Sequence, residues 1–98
     1  MADLRFEWDP RKADANLRKH GVSFDEAQTA FLDDIALVMA DPDHSAAEDR
    51  FLLLGATASS KLLVVCHCYR GRDELIRLIS ARRANRREKA TYRERSTS

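Results

Sequence analysis

The sequence predicts an α+β domain in which two N-terminal helices and a basic C-terminal helix pack on a four-stranded antiparallel sheet. Three observations predict this architecture. Strong helix caps stand near the start of the chain, four short aliphatic runs separated by turn-forming residues follow, and the C-terminal segment is rich in arginine. Helices that lie before and after a series of closely connected strands are typical of α+β domains, in which the helices cover a face of the sheet.

Length and composition predict one compact domain over residues 1–98, with residues 94–98 as a frayed tail. The chain has 98 residues, of which 44% are hydrophobic, which is enough for one modest core. Its apolar runs, such as residues 62–66, are far too short for a membrane span, and the N-terminus shows no leader pattern, so we expect a cytoplasmic protein. Residues 1–60 carry a net charge of −6 and residues 61–98 a net charge of +7. This polarity predicts a polyanionic partner for the C-terminal part.

The stretch FEWDPRKADANLRKHG, residues 6–21, predicts the first helix. Asp9 is a good N-cap, Pro10 suits the first helical position, and Gly21 suits the left-handed C-terminal cap, so the helix runs from Pro10 to His20. The helical period places Lys12, Asn16 and Lys19 on one stripe and Ala13 and Leu17 on the next, which we expect to dock on the sheet. Either this is a surface helix with solvated lysines, or its cationic flank acts on a phosphate.

A second amphipathic helix follows at once and ends near Asp33. Ser23 and Glu26 have the spacing of a capping box, and Phe24 and Phe31 lie on one helical face. The apolar runs that come next predict four strands joined by short turns, at residues 35–40, 50–56, 61–69 and 74–80.

The segment SARRANRREKATYRER, residues 80–95, predicts the basic C-terminal helix. On this helix Ala81, Ala84, Glu88 and Tyr92 form one stripe, and Arg82, Arg86, Lys89 and Arg93 form the neighbouring stripe. Like charges one turn apart destabilise a helix, so the basic stripe is better explained by phosphates or an acidic partner than by solvation alone. Glu88 is either the ion-pair partner of an arginine or a carboxylate with a raised pKa that acts as a base.

The two cysteines predict neither a disulfide nor a metal site. Cys66 and Cys68 are two residues apart on a predicted strand, where a bridge between them would be strained. With His67 they also fall short of a four-ligand zinc set. We therefore expect reduced, structural thiols and no cofactor.

Two separated stretches resemble one family in sequence. They are EWDPRKADANLRKHGVSFDEA, residues 7–27, and LIRLISARRANRRE, residues 75–88. Together with the strands between them they resemble the BrnT family of type II toxin–antitoxin toxins, small ribonucleases with a RelE-like fold. The family's usual hairpin H-T-E-R-G-D reads HCYRGRDE here, at residues 67–74, so the resemblance carries no catalytic role to this hairpin tip.

The resemblance implies a function and a set of partners. A BrnT-like chain cleaves RNA and arrests translation, is inhibited by a cognate antitoxin called BrnA, and meets operator DNA only through that antitoxin. Metal-free RNA cleavage needs a group that exchanges protons and cations that stabilise the charge of the transition state. Histidine gains and loses a proton near neutral pH, so His20 is a candidate acid or base, and its alternative role is a helix C-terminal cap. The predicted catalytic residues are Lys12, His20, Arg82 and Glu88.

The remaining candidates are RNA contacts. Trp8 either stacks on a base or packs against the first helix, and Arg77 is a charge within an apolar strand. The other two histidines, His44 and His67, have no cationic neighbours in sequence. The competing function is a binding module without catalysis, in which the arginines hold nucleic acid or an acidic antitoxin segment. The predicted RNA-binding residues are Trp8, Lys19, Arg77, Arg83, Arg86 and Lys89.

Overall fold

The fold is taken from a computed structural model that describes residues 4–42, 49–71 and 75–97. His44 and the end of the hairpin motif at residues 72–74 therefore lie outside the described residues. The elements, in chain order, are β1 (Arg5–Glu7), α1 (Pro10–His20), α2 (Phe24–Ala27), a 3₁₀ helix (Gln28–Leu32), β2 (Leu37–Ala40), β3 (Phe51–Ala56), β4 (Leu62–Arg70), β5 (Leu75–Arg83) and α3 (Arg86–Thr97). No helix in these ranges is long and apolar enough to cross a membrane.

The sheet has five strands and is mixed. The predicted four-stranded antiparallel sheet therefore lacked one strand, which is parallel to its neighbour. The strand order is β1-β5-β4-β3-β2, and the four strands β2 to β5 form the predicted antiparallel meander. The fifth strand, β1, pairs in parallel with β5, with Glu7 opposite Arg77. The sequence predicts a short strand or extended segment at residues 4–8 but not its place in the sheet, because its pairing with a strand about 70 positions away depends on tertiary contacts.

The caps of α1 form as the sequence predicts. The Asp9 side chain accepts a hydrogen bond from Arg11 N–H at 2.9 Å, and Pro10 begins the helix. Gly21 ends it with φ of 69°, in the left-handed region, and its N–H donates to the Leu17 carbonyl. A residue with a Cβ would be strained there, which explains the glycine.

The second helix is shorter than predicted, and only half of its capping box forms. The Ser23 hydroxyl accepts a hydrogen bond from Glu26 N–H at 3.1 Å. The Glu26 carboxylate, however, binds the turn between β3 and β4, where Ser59, Thr57 and Lys61 contact it. The hydrogen bond from Ser59 is the main reason why the pKa of Glu26 lies below its usual value. The chain tightens into the 3₁₀ helix as the Thr29 hydroxyl bonds the Glu26 carbonyl at 2.7 Å.

Helices cover both faces of the sheet, and not one face as predicted. The first face packs against α1, α2 and the 3₁₀ helix. Partly buried Phe6, Trp8, Ala13 and Phe31 border this core. Its buried members are Val22, Phe24, Ala27, Leu63, Val65, Ile76, Leu78 and Ala81.

The second face packs against α3 and has a smaller core. Leu63 and Val65 of β4 belong to the first core and Val64 to the second, because successive side chains of a strand point to opposite faces. The second core contains Leu54, Val64 and Ala84, bordered by Leu37, Leu52, Leu62 and Tyr92.

The C-terminal helix begins later than predicted. Residues 80–83 continue β5, with Arg82 opposite Val64 and Arg83 opposite Leu63, so Ala81 and Arg82 lie on a strand and not on the helix. Pairing with β4 outweighs the helical pattern of this segment. A reciprocal capping box starts α3, because Asn85 accepts from Glu88 N–H and Glu88 accepts from Asn85 N–H, each at 2.8 Å. The helix continues through Glu94 to Thr97, where the sequence predicted a frayed tail.

Polar contacts hold α3 against the segment before β2. The Tyr92 hydroxyl donates to Asp33 at 2.6 Å, and Arg95 Nε donates to the Ile35 carbonyl at 2.8 Å. Burial and the Asp33 carboxylate raise the pKa of Tyr92 to about 12. Burial would raise the pKa of Asp33, but hydrogen bonds from Ala56 N–H, the Tyr92 hydroxyl and Ile35 N–H outweigh it, so this pKa is lowered. The phenol therefore stays protonated and the carboxylate charged at neutral pH.

Both thiols are buried in the core. Cys66 and Cys68 form no disulfide, and the Cys66 thiol donates to Asp41 at 3.7 Å. Burial, followed by the negative charge of Asp41, raises the pKa of Cys66 to about 11. A thiol that stays protonated is a poor nucleophile and a poor metal ligand.

His67 is fully buried in a cluster of aromatic rings. Its ring centroid lies 4.8 Å from that of Phe31, and its Nδ1 lies 3.1 Å from the Val65 carbonyl oxygen. The rings of Phe51 and Tyr69 complete the cluster. Burial lowers the pKa of His67 from 6.5, since a charged imidazolium is poorly solvated there. His67 is thus a neutral core residue.

We expect this burial to make the protein less stable in mild acid. The unfolded chain binds a proton at His67 below about pH 6.5, whereas the folded chain resists it, so stability is lost as the pH falls from 7 towards 5. Urea unfolding at several pH values measures the slope. His67→Phe keeps an aromatic ring but has no group that binds a proton, so it should flatten the slope. An unchanged slope in His67→Phe contradicts the account.

Candidate functional site

Asn16, and not Leu17, docks α1 on the sheet. Asn16 is buried, and its side-chain amide donates to the Val22 carbonyl at 3.0 Å and to the Ala81 carbonyl at 2.9 Å. Its side-chain oxygen accepts from Ala81 N–H at 2.9 Å. Leu17 is 51% exposed, so its predicted docking role was wrong, while Ala13 borders the core as expected. Because β1 pairs only with residues 75–77, no strand in the described ranges lies beside Ala81 on that edge of β5. The Asn16 amide forms the hydrogen bonds to the Ala81 backbone that a neighbouring strand would otherwise form.

The first helix runs along β5 towards the end of that strand. Glu7, just before the helix, pairs with Arg77, whereas Asn16 contacts Ala81 further along β5. The last turn of α1 therefore lies at the end of the sheet where β5 finishes at Arg83. At 1.5 Å per residue, Lys12 lies about 12 Å from His20 along the helix axis, too far for both to approach one phosphate closely.

The cations of α1 are available for a ligand. Lys12 and Lys19 are exposed, and His20 is half-buried. Within the described ranges, none of these three side chains forms an ion pair or a side-chain hydrogen bond. Of the predicted flank, Lys19 and His20 are adjacent, Lys12 lies at the other end of the helix, and Asn16 is buried against the strand.

Arg82 and Glu88 form a two-pronged ion pair between β5 and α3. Arg82 Nη1 and Nη2 donate to the two Glu88 oxygens at 2.8 and 2.9 Å. The hydrogen bond from Arg82 is the main cause that lowers the pKa of Glu88, and the same bond raises the pKa of Arg82. The geometry thus favours the ion-pair interpretation of Glu88 over a base with a raised pKa. Because α1 and α3 cover opposite faces, the four predicted catalytic residues are divided between the two sides of the sheet.

A basic groove lies between the sheet end and α3. It has a volume of about 350 Å³. Two predicted RNA-binding residues, Arg83 and Lys89, line it together with Arg93 of the basic stripe, and none of its lining residues is acidic. Arg83 stands at the end of β5, so the groove opens at the same end of the sheet as the last turn of α1. The lining residues are Ser60, Leu62, Arg83, Lys89, Tyr92 and Arg93.

The other predicted RNA-binding residues, Arg77, Trp8 and Arg86, lie outside the groove. Arg77 Nη1 donates to Glu7 at 2.6 Å, and this bond raises the pKa of Arg77, so the charge within the strand is compensated. Trp8 packs edge-on against Phe24 at 5.8 Å, the core alternative of its two interpretations. Arg86 is exposed at the first position of α3.

Comparison with known proteins gives the family. A family model described as "Ribonuclease toxin, BrnT, of type II toxin-antitoxin system" matches residues 8–88. The chain belongs to this BrnT family. The crystal structure of the Brucella abortus ribonuclease toxin BrnT has a similar fold, with a TM-score of 0.61 at 22% sequence identity over 86% of this chain and 100% of that chain. No curated protein sequence matches this one.

Within this BrnT-family fold, sequence reasoning missed three contributors to the site. Asn16 was placed on the cationic flank although it is the docking residue, and its polarity gave no sign of burial. Ser60, which has φ of 67°, and Leu62 reach the groove only because the turn before β4 comes close to α3. Such proximity depends on tertiary packing and leaves no local pattern in the sequence.

Proposed function

We propose that this BrnT-family chain is the toxin of a type II toxin–antitoxin pair and cleaves RNA without a metal ion. One observation carries the proposal. The last turn of α1, the end of β5 and the basic groove beside α3 all place cations at one end of the sheet, and no acidic residue lines the groove. A single RNA strand can contact all three elements there. Within the described residues, no group of three or more His, Cys, Asp or Glu side chains is arranged to hold a metal.

The proposed chemistry divides the work among these residues. The 2′-oxygen bonds to phosphorus as the P–O5′ bond breaks. His20 either accepts the 2′-hydroxyl proton or donates a proton to the leaving 5′-oxygen, and water serves in the other role. Lys19 beside it stabilises the charge on the scissile phosphate. Lys12 lies too far along the helix for the same phosphate and contacts a neighbouring one. Arg83, Arg86 and Lys89 bind the flanking strand. Arg82 and Glu88 fix the end of β5 against α3, and Arg77 and Trp8 support the sheet from the far end of α1.

The second candidate is a binding module without catalysis. It is favoured by the Arg82–Glu88 pair, which already satisfies both predicted catalytic groups on the α3 face. In that case the cations hold RNA or an acidic antitoxin segment, and His20 only caps the helix. Shifted but intact RNA after incubation with the purified protein would favour this candidate.

Expression in bacterial cells tests the toxin assignment. We expect induced synthesis of this chain alone to stop protein synthesis and growth within minutes. Co-expression of its cognate BrnA-like antitoxin should restore both, and operator DNA should be bound by the complex through the antitoxin and not by this chain alone. Pulse labelling of new protein is the measurement. Normal labelling at a level of toxin confirmed by immunoblot contradicts the proposal.

A further inference from the structure

The basic groove beside α3 is a concave space with several cations in its lining, whereas the cations of α1 lie along a helix surface. Three long cations, Arg83, Lys89 and Arg93, line one concave space together with Ser60. Among the described residues, none of these three cations is paired with a carboxylate. Three uncompensated charges around one space repel each other, so the arrangement favours a bound anion.

The spacing of the cations favours a nucleic acid strand over a single phosphate ion. Lys89 and Arg93 are one helical turn apart, about 6 Å along the axis of α3, a separation comparable to that of successive phosphates in an RNA strand. Arg83, at the end of β5, lines the same space, and a guanidinium can bind a phosphate with two parallel hydrogen bonds.

Contacts between α3 and the rest of the protein hold the groove in shape. The Tyr92 hydroxyl is bound to Asp33, and the Arg82–Glu88 pair and the Asn85 capping box fix the first turn of the helix. Tyr92 and Leu62 then leave an aromatic and an aliphatic wall on which a base can lie, as bases do in single-strand binding sites.

We propose that this groove is an anchoring subsite for single-stranded RNA, which binds two successive phosphates on one side of the cleavage point. This inference deepens the proposed function and rests on it for the identity of the strand as RNA. The groove is a site of binding and not of chemistry, since the residues that the structure describes in its lining include no histidine and no carboxylate. It sets how the strand enters the end of the sheet, where His20 and Lys19 lie.

Binding of a non-cleavable strand tests the subsite separately from catalysis. The probe is a fluorescein-labelled single-stranded oligoribonucleotide with 2′-O-methyl groups, which lacks the attacking hydroxyl. Its anisotropy is measured against wild type, the groove variant Lys89→Gln/Arg93→Gln, and the control Arg5→Gln/Arg87→Gln. The control makes the same change in net charge at exposed positions outside the groove.

The two variants should differ clearly. We expect the groove variant to bind about 10- to 100-fold more weakly and its salt slope to fall by about 1.4, as two lost phosphate contacts require. The control should stay within about threefold of wild type. If the affinity of the groove variant falls but wild type does not cut unmodified RNA, the subsite proposal stands and the ribonuclease proposal is rejected. If the groove variant and the control variant bind the oligoribonucleotide with equal affinity, the subsite proposal is wrong. It is also wrong if the groove variant binds RNA like wild type but binds the antitoxin more weakly, because the groove would then be a site for an acidic protein.

Discussion

Asn16→Ala is expected to lower the free energy of unfolding by about 3 kcal/mol or more, the largest effect of any single polar substitution considered. The wild-type side chain makes three buried hydrogen bonds, two to Ala81 and one to Val22. Alanine removes all three and leaves one backbone N–H and two carbonyls buried without these partners, each of which costs about 1–3 kcal/mol before relaxation. Small domains are stable by only about 5–15 kcal/mol, so the loss is a large share of the total.

Two further variants make this prediction specific. Leu17→Ala, on the same helix at a position that is 51% exposed, should cost less than about 1 kcal/mol. Asn16→Asp keeps the acceptor for Ala81 N–H but loses both donors, so it should be nearly as harmful as alanine at neutral pH. Urea unfolding followed by circular dichroism measures all three. A small loss in Asn16→Ala alongside a large one in Leu17→Ala would contradict the docking described for α1.

His20→Ala is expected to lower the rate of RNA cleavage by about 10²–10⁴-fold, the range for a lost acid or base, with little change in folding. The side chain is half-buried in the last turn of α1, and its contribution to the helix as a C-terminal cation is only about 0.3–1 kcal/mol. Lys12→Ala should have a smaller effect on the rate, because about 12 Å of helix axis separates it from His20.

The matched control for His20 is Arg18→Ala, an exposed cation in the same last turn. It makes a similar change in helix stability, so it should melt like His20→Ala and still cleave RNA. Cleavage rates on one labelled RNA and thermal melts are measured on the same preparations. Full activity in His20→Ala with a loss in Arg82→Ala would move the chemistry to the α3 face.

The caps and the meander could be predicted from sequence because their signals are local. Asp9, Pro10 and Gly21 act through the backbone of their immediate neighbours, and the caps of α1 form where the sequence places them. The start of α3 could not be predicted from helical periodicity, since residues 80–83 have a helical pattern but are held by β4. In such segments the tertiary partner determines whether the chain forms a strand or a helix.

The candidate site was predictable in its charges and not in its geometry. The arginine-rich segment indicated a polyanion, and three of its basic residues, Arg83, Lys89 and Arg93, line the groove. The sheet separates these residues from Lys12 and His20, because α3 packs on the second face of the sheet. That placement depends on the packing of Ala84 and Tyr92. The roles of Asn16 and Glu26 were missed for the same reason, because their partners are 65 and at least 31 positions away.

Incubation of the purified chain with naked single-stranded RNA in excess EDTA is the most direct test of metal-free cleavage by His20. We expect fragments that end in 2′,3′-cyclic phosphate, formed at a rate that does not depend on added Mg²⁺ and that falls sharply in His20→Ala. Detection of the cyclic phosphate by mass spectrometry excludes a contaminating metal-dependent nuclease, which leaves other ends. RNA that stays intact under these conditions, with protein that is folded and binds it, would contradict the account.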